Sequence, residues 1–117
     1  MLSLAPQMKI FLAYNPIEFR KGIDSIVSLC RNHLQIDPFC GTLFVFRNHK
    51  ANAIKILVYD GTGFWLCLKR FSRGRLAWWP HSSGQSLSPL GVQQLQVLLY
   101  QSNPSLIDWT KDFRKLS

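Results

Sequence analysis

Acidic side chains are scarce in this sequence, which has 6 Asp and Glu residues against 14 Lys and Arg residues. A two-metal site for phosphoryl transfer needs clustered carboxylates, because they must hold metal ions about 4 Å apart. The acids here are scattered instead over a helix start, a helical turn, a position before proline, a hairpin and the C-terminal region. They are Glu18, Asp24, Asp37, Asp60, Asp108 and Asp112. We therefore expect no metal-dependent catalytic centre and no enzymatic activity of the chain itself.

Cysteine and histidine are also few, with 3 residues of each type. They are Cys30, Cys40 and Cys67, and His33, His49 and His81. A disulfide framework uses an even number of cysteines, and a zinc site favours ligands at short spacings in the chain. Neither pattern is present, so we expect reduced thiols, no bound metal and no cofactor.

Long apolar runs are absent too, since no stretch approaches the roughly 18 apolar residues that a membrane-spanning helix needs. The segment from Met1 to Met8 lacks the basic and apolar parts of a secretory leader. We expect a cytoplasmic protein with no membrane partner. At 117 residues, with 47% hydrophobic residues, the chain has the size and composition of one folded domain. We expect that domain to span residues 1–117, with residues 102–117 as a loosely docked tail.

The spacing of apolar residues predicts two main helices. The Asn15–Pro16 pair is a typical helix start, and apolar residues recur every three or four positions from Ile23 to Leu34. This helix must end before Asp37–Pro38, because the residue before proline avoids helical geometry. The Ser88–Pro89 pair repeats the start signal for a second helix. The residues predicted for its buried face are Leu90, Leu95, Leu98 and Leu99.

Short runs rich in β-branched and aromatic residues predict strands before and between these helices. The predicted strands are Met8–Tyr14, Leu43–Arg47, Ile54–Tyr59, Phe64–Phe71 and Arg75–Trp79. The last four form a meander, because their connections are short and Asp60–Gly61 is a strong hairpin signal. The sequence therefore predicts an α+β fold, in which an antiparallel sheet of about five strands packs with two helices. We expect the first helix to cover one face of the sheet.

A basic cluster is the main positive signal. It comprises Lys69, Arg70, Arg73 and Arg75, and Trp78 and Trp79 follow directly. Cations neutralise phosphates and exposed aromatic rings stack on bases, so this combination is typical of nucleic-acid binding. Arg20, Lys21, Arg47 and Lys50 would extend the patch if the fold brings them together. The alternative is a basic surface that only keeps the protein soluble.

The tryptophans allow two interpretations. Trp65, Trp78 and Trp79 are candidates for contact with a base or with a partner protein. The alternative is that Trp78 and Trp79 are core residues of a strand with a charged rim, and neighbouring residues of a strand point to opposite faces of the sheet. We therefore expect at least one residue of the Trp78–Trp79 pair to be buried.

Three segments of the chain carry a resemblance to a known family. They are EFRKGIDSI at Glu18–Ile26, DPFCGTLFVFRNHK at Asp37–Lys50, and IKILVYDGTGFWLCLKRFSRGRLAWWP at Ile54–Pro80. Together they resemble the TnpB-type accessory protein, the second open reading frame product, of bacterial insertion sequences of the IS sixty-six family. The resemblance implies a small protein encoded beside a large transposase that carries the acidic catalytic residues. It therefore implies an accessory role in transposition.

Two hypotheses follow for that role. In the first, the protein binds DNA through the phosphate contacts of its basic residues. In the second, it docks on the transposase, or on a second copy of itself, without contacting DNA. That docking would use an exposed aromatic surface that includes Trp65, Trp78 or Trp109.

Overall fold

A computed structural model describes residues 8–20, 22–81 and 84–100 of the protein. The described chain forms five strands and two helices. They are β1 (Ile10–Ala13), α1 (Ile23–Asn32), β2 (Leu43–Arg47), β3 (Ala53–Tyr59), β4 (Phe64–Arg70), β5 (Leu87–Leu90) and α2 (Val92–Tyr100). The strands make one sheet in the order β4-β3-β2-β1-β5. The predicted α+β fold, with about five strands and two helices, is confirmed.

The sheet is mixed and not purely antiparallel as predicted. Strands β2, β3 and β4 form the expected antiparallel meander, and the turn at Asp60–Gly61 joins the last two. Strands β1 and β2 are parallel, with Ile10 paired to Leu43. Parallel neighbours need a long crossover, and α1 lies in the connection between them. The amphipathic helix explains the parallel pair, because it must cross one face of the sheet.

Each face of the sheet is covered by one helix. Residues Ile26 and Cys30 of α1 share a buried cluster with Phe44 and Phe46 of β2. Leu95 of α2 belongs to a second cluster, which includes Leu12, Val45 and Ile56 from the opposite face. Strands β2 and β3 are therefore mainly apolar on both sides, as their hydrophobic runs suggest, with Lys55 as the exception inside β3. The prediction that the first helix covers one face is confirmed.

The prediction that a helix starts at Asn15–Pro16 is wrong. Helix α1 begins at Ile23, after Gly22, and no side chain caps its first turn. The amide of Ile17 instead donates a hydrogen bond to the carbonyl of Arg47 over 2.9 Å. Ile17 also forms an isolated parallel bridge with Asn48. The segment after Pro16 is extended because it pairs with the end of β2, an interaction between residues far apart in sequence.

The prediction that a helix starts at Ser88–Pro89 is also wrong. Both residues belong to β5, an edge strand, and Pro89 pairs with Phe11 of β1. Proline is tolerated there because an edge strand has one side without a neighbouring strand. The second helix begins only at Val92. Leu90 is therefore a buried residue of β5, whereas Leu95 and Leu98 are buried residues of α2.

The predicted strand at Arg75–Trp79 is absent, and this segment follows β4 as an irregular connection. Its polar groups form hydrogen bonds outside any strand pairing. The Leu76 amide donates to the Ala51 carbonyl over 2.7 Å. The indole nitrogen of Trp79 donates to the Ala13 carbonyl over 3.1 Å. The predicted tail and Trp109 lie outside the described residues. Within the described part of the chain, no helix is long and apolar enough to cross a membrane.

Candidate nucleic-acid interface

One end of the sheet collects most of the predicted basic residues. Strands β1, β2 and β4 end there, and β3 and β5 begin there, as the strand pairing requires. Arg70 is the last residue of β4 and pairs with Ala53, directly after the β2–β3 loop. We call the exposed cations of three neighbouring segments the basic end. They are Arg20, Lys50, Arg70, Arg73 and Arg75.

The β2–β3 loop has a fixed conformation that presents Lys50. The side-chain oxygen of Asn48 accepts hydrogen bonds from the amides of Asn52 and Ala53, over 3.0 and 3.1 Å. The side-chain nitrogen of Asn48 donates to the side-chain oxygen of Asn52 over 2.6 Å. Asparagine commonly stabilises tight turns through such bonds to nearby backbone. Lys50 lies at the tip of this loop and is exposed.

The chain after β4 is held against the same loop. The Phe71 amide donates to the Asn52 carbonyl over 2.9 Å, and the Leu76 amide donates to the Ala51 carbonyl. Phe71 is also buried in the core cluster on the α2 side of the sheet. These bonds hold both ends of the short segment that carries Arg73 and Arg75 against the loop that carries Lys50.

The third basic segment, Ile17–Arg20, is anchored by a buried lysine. The amino group of Lys55, on β3, donates to the Phe19 carbonyl over 2.8 Å. The same amino group lies over the Phe19 ring, 4.9 Å from its centroid. Only 8% of Lys55 is exposed. This contact fixes the backbone directly before Arg20.

These segments enclose a cleft of about 440 Å³. The residues that line it are Ile17, Glu18, Phe19, Arg20, Asn48, His49, Lys50 and Arg70. Three of them are cations from three separate parts of the chain, and one is a carboxylate. The cleft therefore combines a positive rim, an apolar wall and one hydrogen-bond acceptor of negative charge.

The carboxylate of Glu18 is oriented by its neighbour Arg20. Its oxygen accepts a hydrogen bond from the Arg20 amide over 3.2 Å, and the guanidinium approaches the same oxygen at 3.4 Å. Both contacts lower the pKa of Glu18, and the hydrogen bond from the Arg20 amide has the larger effect. The ion pair is exposed and contributes little to stability. Its effect is to keep a charged acceptor inside a basic cleft.

Two predicted cations turn inward. The guanidinium of Arg47 donates to the Tyr14 carbonyl over 2.9 Å and lies 5.4 Å from the Trp79 ring centroid. The amino group of Lys69 donates to the Leu99 carbonyl and lies 4.1 Å from the ring centroid of Tyr100. Burial lowers the pKa of each cation. Both hold the fold together, and Lys69 neutralises the carbonyl end of α2.

The tryptophans separate into a buried and an exposed group. Trp79 is 5% exposed, whereas Trp78 is 45% exposed, so one member of the pair is buried as predicted. Trp65 is 58% exposed on β4, at the opposite end of the sheet from Arg70. Its indole donates to the Asp60 carboxylate over 2.7 Å. Neither Trp65 nor Trp79 lines the cleft. Lys21 lies outside the described residues.

Sequence reasoning missed the roles of Lys55 and Glu18. A lysine inside the apolar run of β3 was the available signal, because lysine is almost never fully buried without a partner. Among the described residues, no group of three His, Cys, Asp or Glu side chains is placed to hold a metal ion. The cysteines are free thiols, and burial raises the pKa of Cys30 to about 11.

Comparison with known proteins identifies the family. The family model described as IS66 Orf2 like protein matches residues 8–107. The chain belongs to this family. It therefore belongs to a family of insertion-sequence proteins, as the three resembling segments indicated.

Two proteins from Sinorhizobium fredii (strain NBRC 101917 / NGR234) are similar to this chain over nearly their whole length. The uncharacterized protein y4jC is 30% identical over 109 residues, which cover 92% of this chain and 86% of the relative. The uncharacterized protein y4hO is 32% identical over 109 residues, which cover 93% and 89% of the two chains. No solved structure shows a significant match.

Proposed function

We propose that this IS66 Orf2 like protein is a non-catalytic accessory factor of transposition that binds DNA at its basic end. The observation that carries the proposal is the convergence of exposed cations from three segments around one cleft. Glu18 is the single carboxylate that lines this cleft. The chemistry of strand cleavage and joining belongs, in this proposal, to the larger transposase of the same element.

Phosphate contacts would dominate the binding. Each phosphate that a cation neutralises releases counterions, so log K falls against log salt with a slope of about −0.9 per contact. The basic end has five exposed cations, which sets an upper slope of about −4 to −5. Arg73 and Arg75 are exposed and do not line the cleft, so they are open to a duplex backbone. The core cations Arg47 and Lys69 would contribute little.

A charge-matched comparison tests this proposal. The variant Arg70→Ala/Arg73→Ala removes two charges from the basic end. The control, Lys9→Ala/Arg31→Ala, removes two charges from the remainder of the described surface. Lys9 precedes β1, and Arg31 lies over Phe39, whose ring contacts Tyr59 beside the β3–β4 turn.

Fluorescence anisotropy with labelled element-end and scrambled duplexes, at several salt concentrations, gives the affinities. We expect the basic-end variant to lose about tenfold or more in affinity and the control to lose less than about threefold. Equal losses in the two variants would show that net charge, and not this surface, governs binding. Absence of binding at low salt would refute DNA contact altogether.

Docking on the transposase is the second candidate, and one observation favours it. Trp65 and Leu68, on the edge strand β4, are 58% and 60% exposed. An edge strand with large apolar side chains can accept a strand from another protein. Binding of purified transposase in 0.5 M salt, measured by calorimetry, would support this candidate if Trp65→Ser/Leu68→Ser abolished it. Light scattering would detect self-association through the same edge.

A further inference from the structure

We infer that the cleft between Ile17–Arg20, the β2–β3 loop and Arg70 receives an unpaired nucleotide of a DNA strand. The inference rests on the proposed DNA binding and adds the form of DNA that is recognised. It depends on three features of the cleft: its concave shape, its apolar wall, and the carboxylate inside it.

The shape of the cleft disfavours a base-paired duplex as its occupant. A duplex is convex and keeps its bases stacked inside, so it would contact the surrounding cations through its phosphates without filling the cleft. The cleft volume of about 440 Å³ lies in the range of small-ligand sites and suits one nucleotide. Entry therefore needs a base that is already unpaired or has left the stack.

The lining matches the separate parts of a nucleotide. Three cations from separate segments, Arg20, Lys50 and Arg70, line the cleft, and they suit the phosphate groups on either side of one nucleoside. The half-buried side chains of Ile17 and Phe19 form an apolar surface against which a base can pack. Phosphate contacts to a duplex backbone would not involve this apolar surface.

Glu18 is the most specific feature. A carboxylate repels phosphate, so its presence among three cations is unfavourable for a site that binds only the backbone. A carboxylate accepts a hydrogen bond from the exocyclic amino group of cytosine, and thymine has no such group. Arg20 fixes this carboxylate through its amide and guanidinium groups. The cleft should therefore prefer cytosine to thymine.

The test compares labelled single-stranded oligo-dC and oligo-dT with a mixed-sequence duplex at one salt concentration. We expect oligo-dC to bind more tightly than the duplex, and about fivefold or more tightly than oligo-dT. The variant Glu18→Ala is decisive, because it removes the side-chain oxygen that accepts the hydrogen bond. It removes a negative charge, so simple electrostatics predicts tighter binding of all three probes by one common factor. Our inference predicts that oligo-dC loses its advantage over oligo-dT.

The outcomes separate this inference from the proposal beneath it. Duplex binding that is at least as tight as single-strand binding, with a uniform gain in Glu18→Ala, would overturn the unpaired-nucleotide site and leave DNA binding intact. Failure of every probe to bind would overturn both. Because Glu18 is exposed, the variant should fold normally, and circular dichroism verifies this. Arg73→Ala, at an exposed position that does not line the cleft, should weaken all probes alike and serves as the matched variant.

Discussion

The amino group of Lys55 and the main-chain carbonyl of Phe19 are joined by a hydrogen bond of 2.8 Å between β3 and the segment that precedes α1. Lys55 is almost completely buried, and its amino group also lies over the Phe19 ring. This contact links the core of the sheet to one wall of the cleft. Stability and binding should therefore both depend on Lys55, although it is buried and is not one of the exposed cations of the basic end.

Replacement of Lys55 by Ala should lower the free energy of unfolding by about 2–3 kcal/mol, because a charge-assisted hydrogen bond and buried methylenes are lost together. DNA affinity should also fall, because the wall that carries Arg20 is no longer anchored. Urea unfolding and anisotropy titration measure the two effects. The exposed Lys9→Ala variant should change stability by less than about 0.5 kcal/mol. Lys55→Ala behaving like Lys9→Ala would refute the anchoring role.

Trp79 and Trp78 should respond differently to the same change. The buried indole of Trp79 donates to the Ala13 carbonyl and lies beneath the Arg47 guanidinium. Trp79→Phe removes the hydrogen bond and leaves the carbonyl without its partner, which should cost about 1–3 kcal/mol. Trp78→Phe, at an exposed position, should cost less than about 0.5 kcal/mol. Urea unfolding of both variants provides the comparison, and equal losses would contradict the assigned burial.

Asp60 should make stability depend on acid pH. Its carboxylate accepts hydrogen bonds from the Thr62 amide and hydroxyl, the Trp65 indole and the Gly63 amide, which hold its pKa well below the ordinary value. A lowered pKa in the folded state stabilises the fold above the unfolded-state pKa of about 3.9. That stabilisation is lost as the pH falls further toward the folded-state pKa.

The variant Asp60→Asn isolates this effect, because asparagine keeps a good turn residue before Gly61 but does not titrate in this range. The wild type should lose stability more steeply than the variant between pH 5 and pH 2, as measured by urea unfolding. Parallel pH profiles for the two proteins would show that Asp60 does not contribute this dependence.

The hairpins and the apolar stripe of α1 could be predicted from sequence because each depends on neighbouring residues. The Asp60–Gly61 turn and the period of the first helix are signals of this local kind. The errors arose where distant contacts decide the structure. Ser88–Pro89 has the local form of a helix start but joins the sheet edge, and the segment after Pro16 pairs with β2.

The candidate site was predictable in its residue types but not in its assembly. The cations were visible in sequence, yet the pairing of Ala53 with Arg70 and the bonds from Phe71 and Leu76 bring them together. Nothing local distinguishes the inward cations from the exposed ones. Lys69 and Arg70 are adjacent on one strand, and the sheet directs one side chain toward α2 and the other to the opposite face.

The most direct test of the account is a titration of ¹⁵N-labelled protein with unlabelled element-end DNA, followed by amide chemical shifts. DNA binding at the basic end predicts that the largest changes fall in residues 17–20, 48–50 and 70–75. The amides around Asp60 and Trp65, at the other end of the sheet, should change little. Changes centred on the β3–β4 turn, or no changes at low salt, would contradict the central claim that the basic end binds DNA.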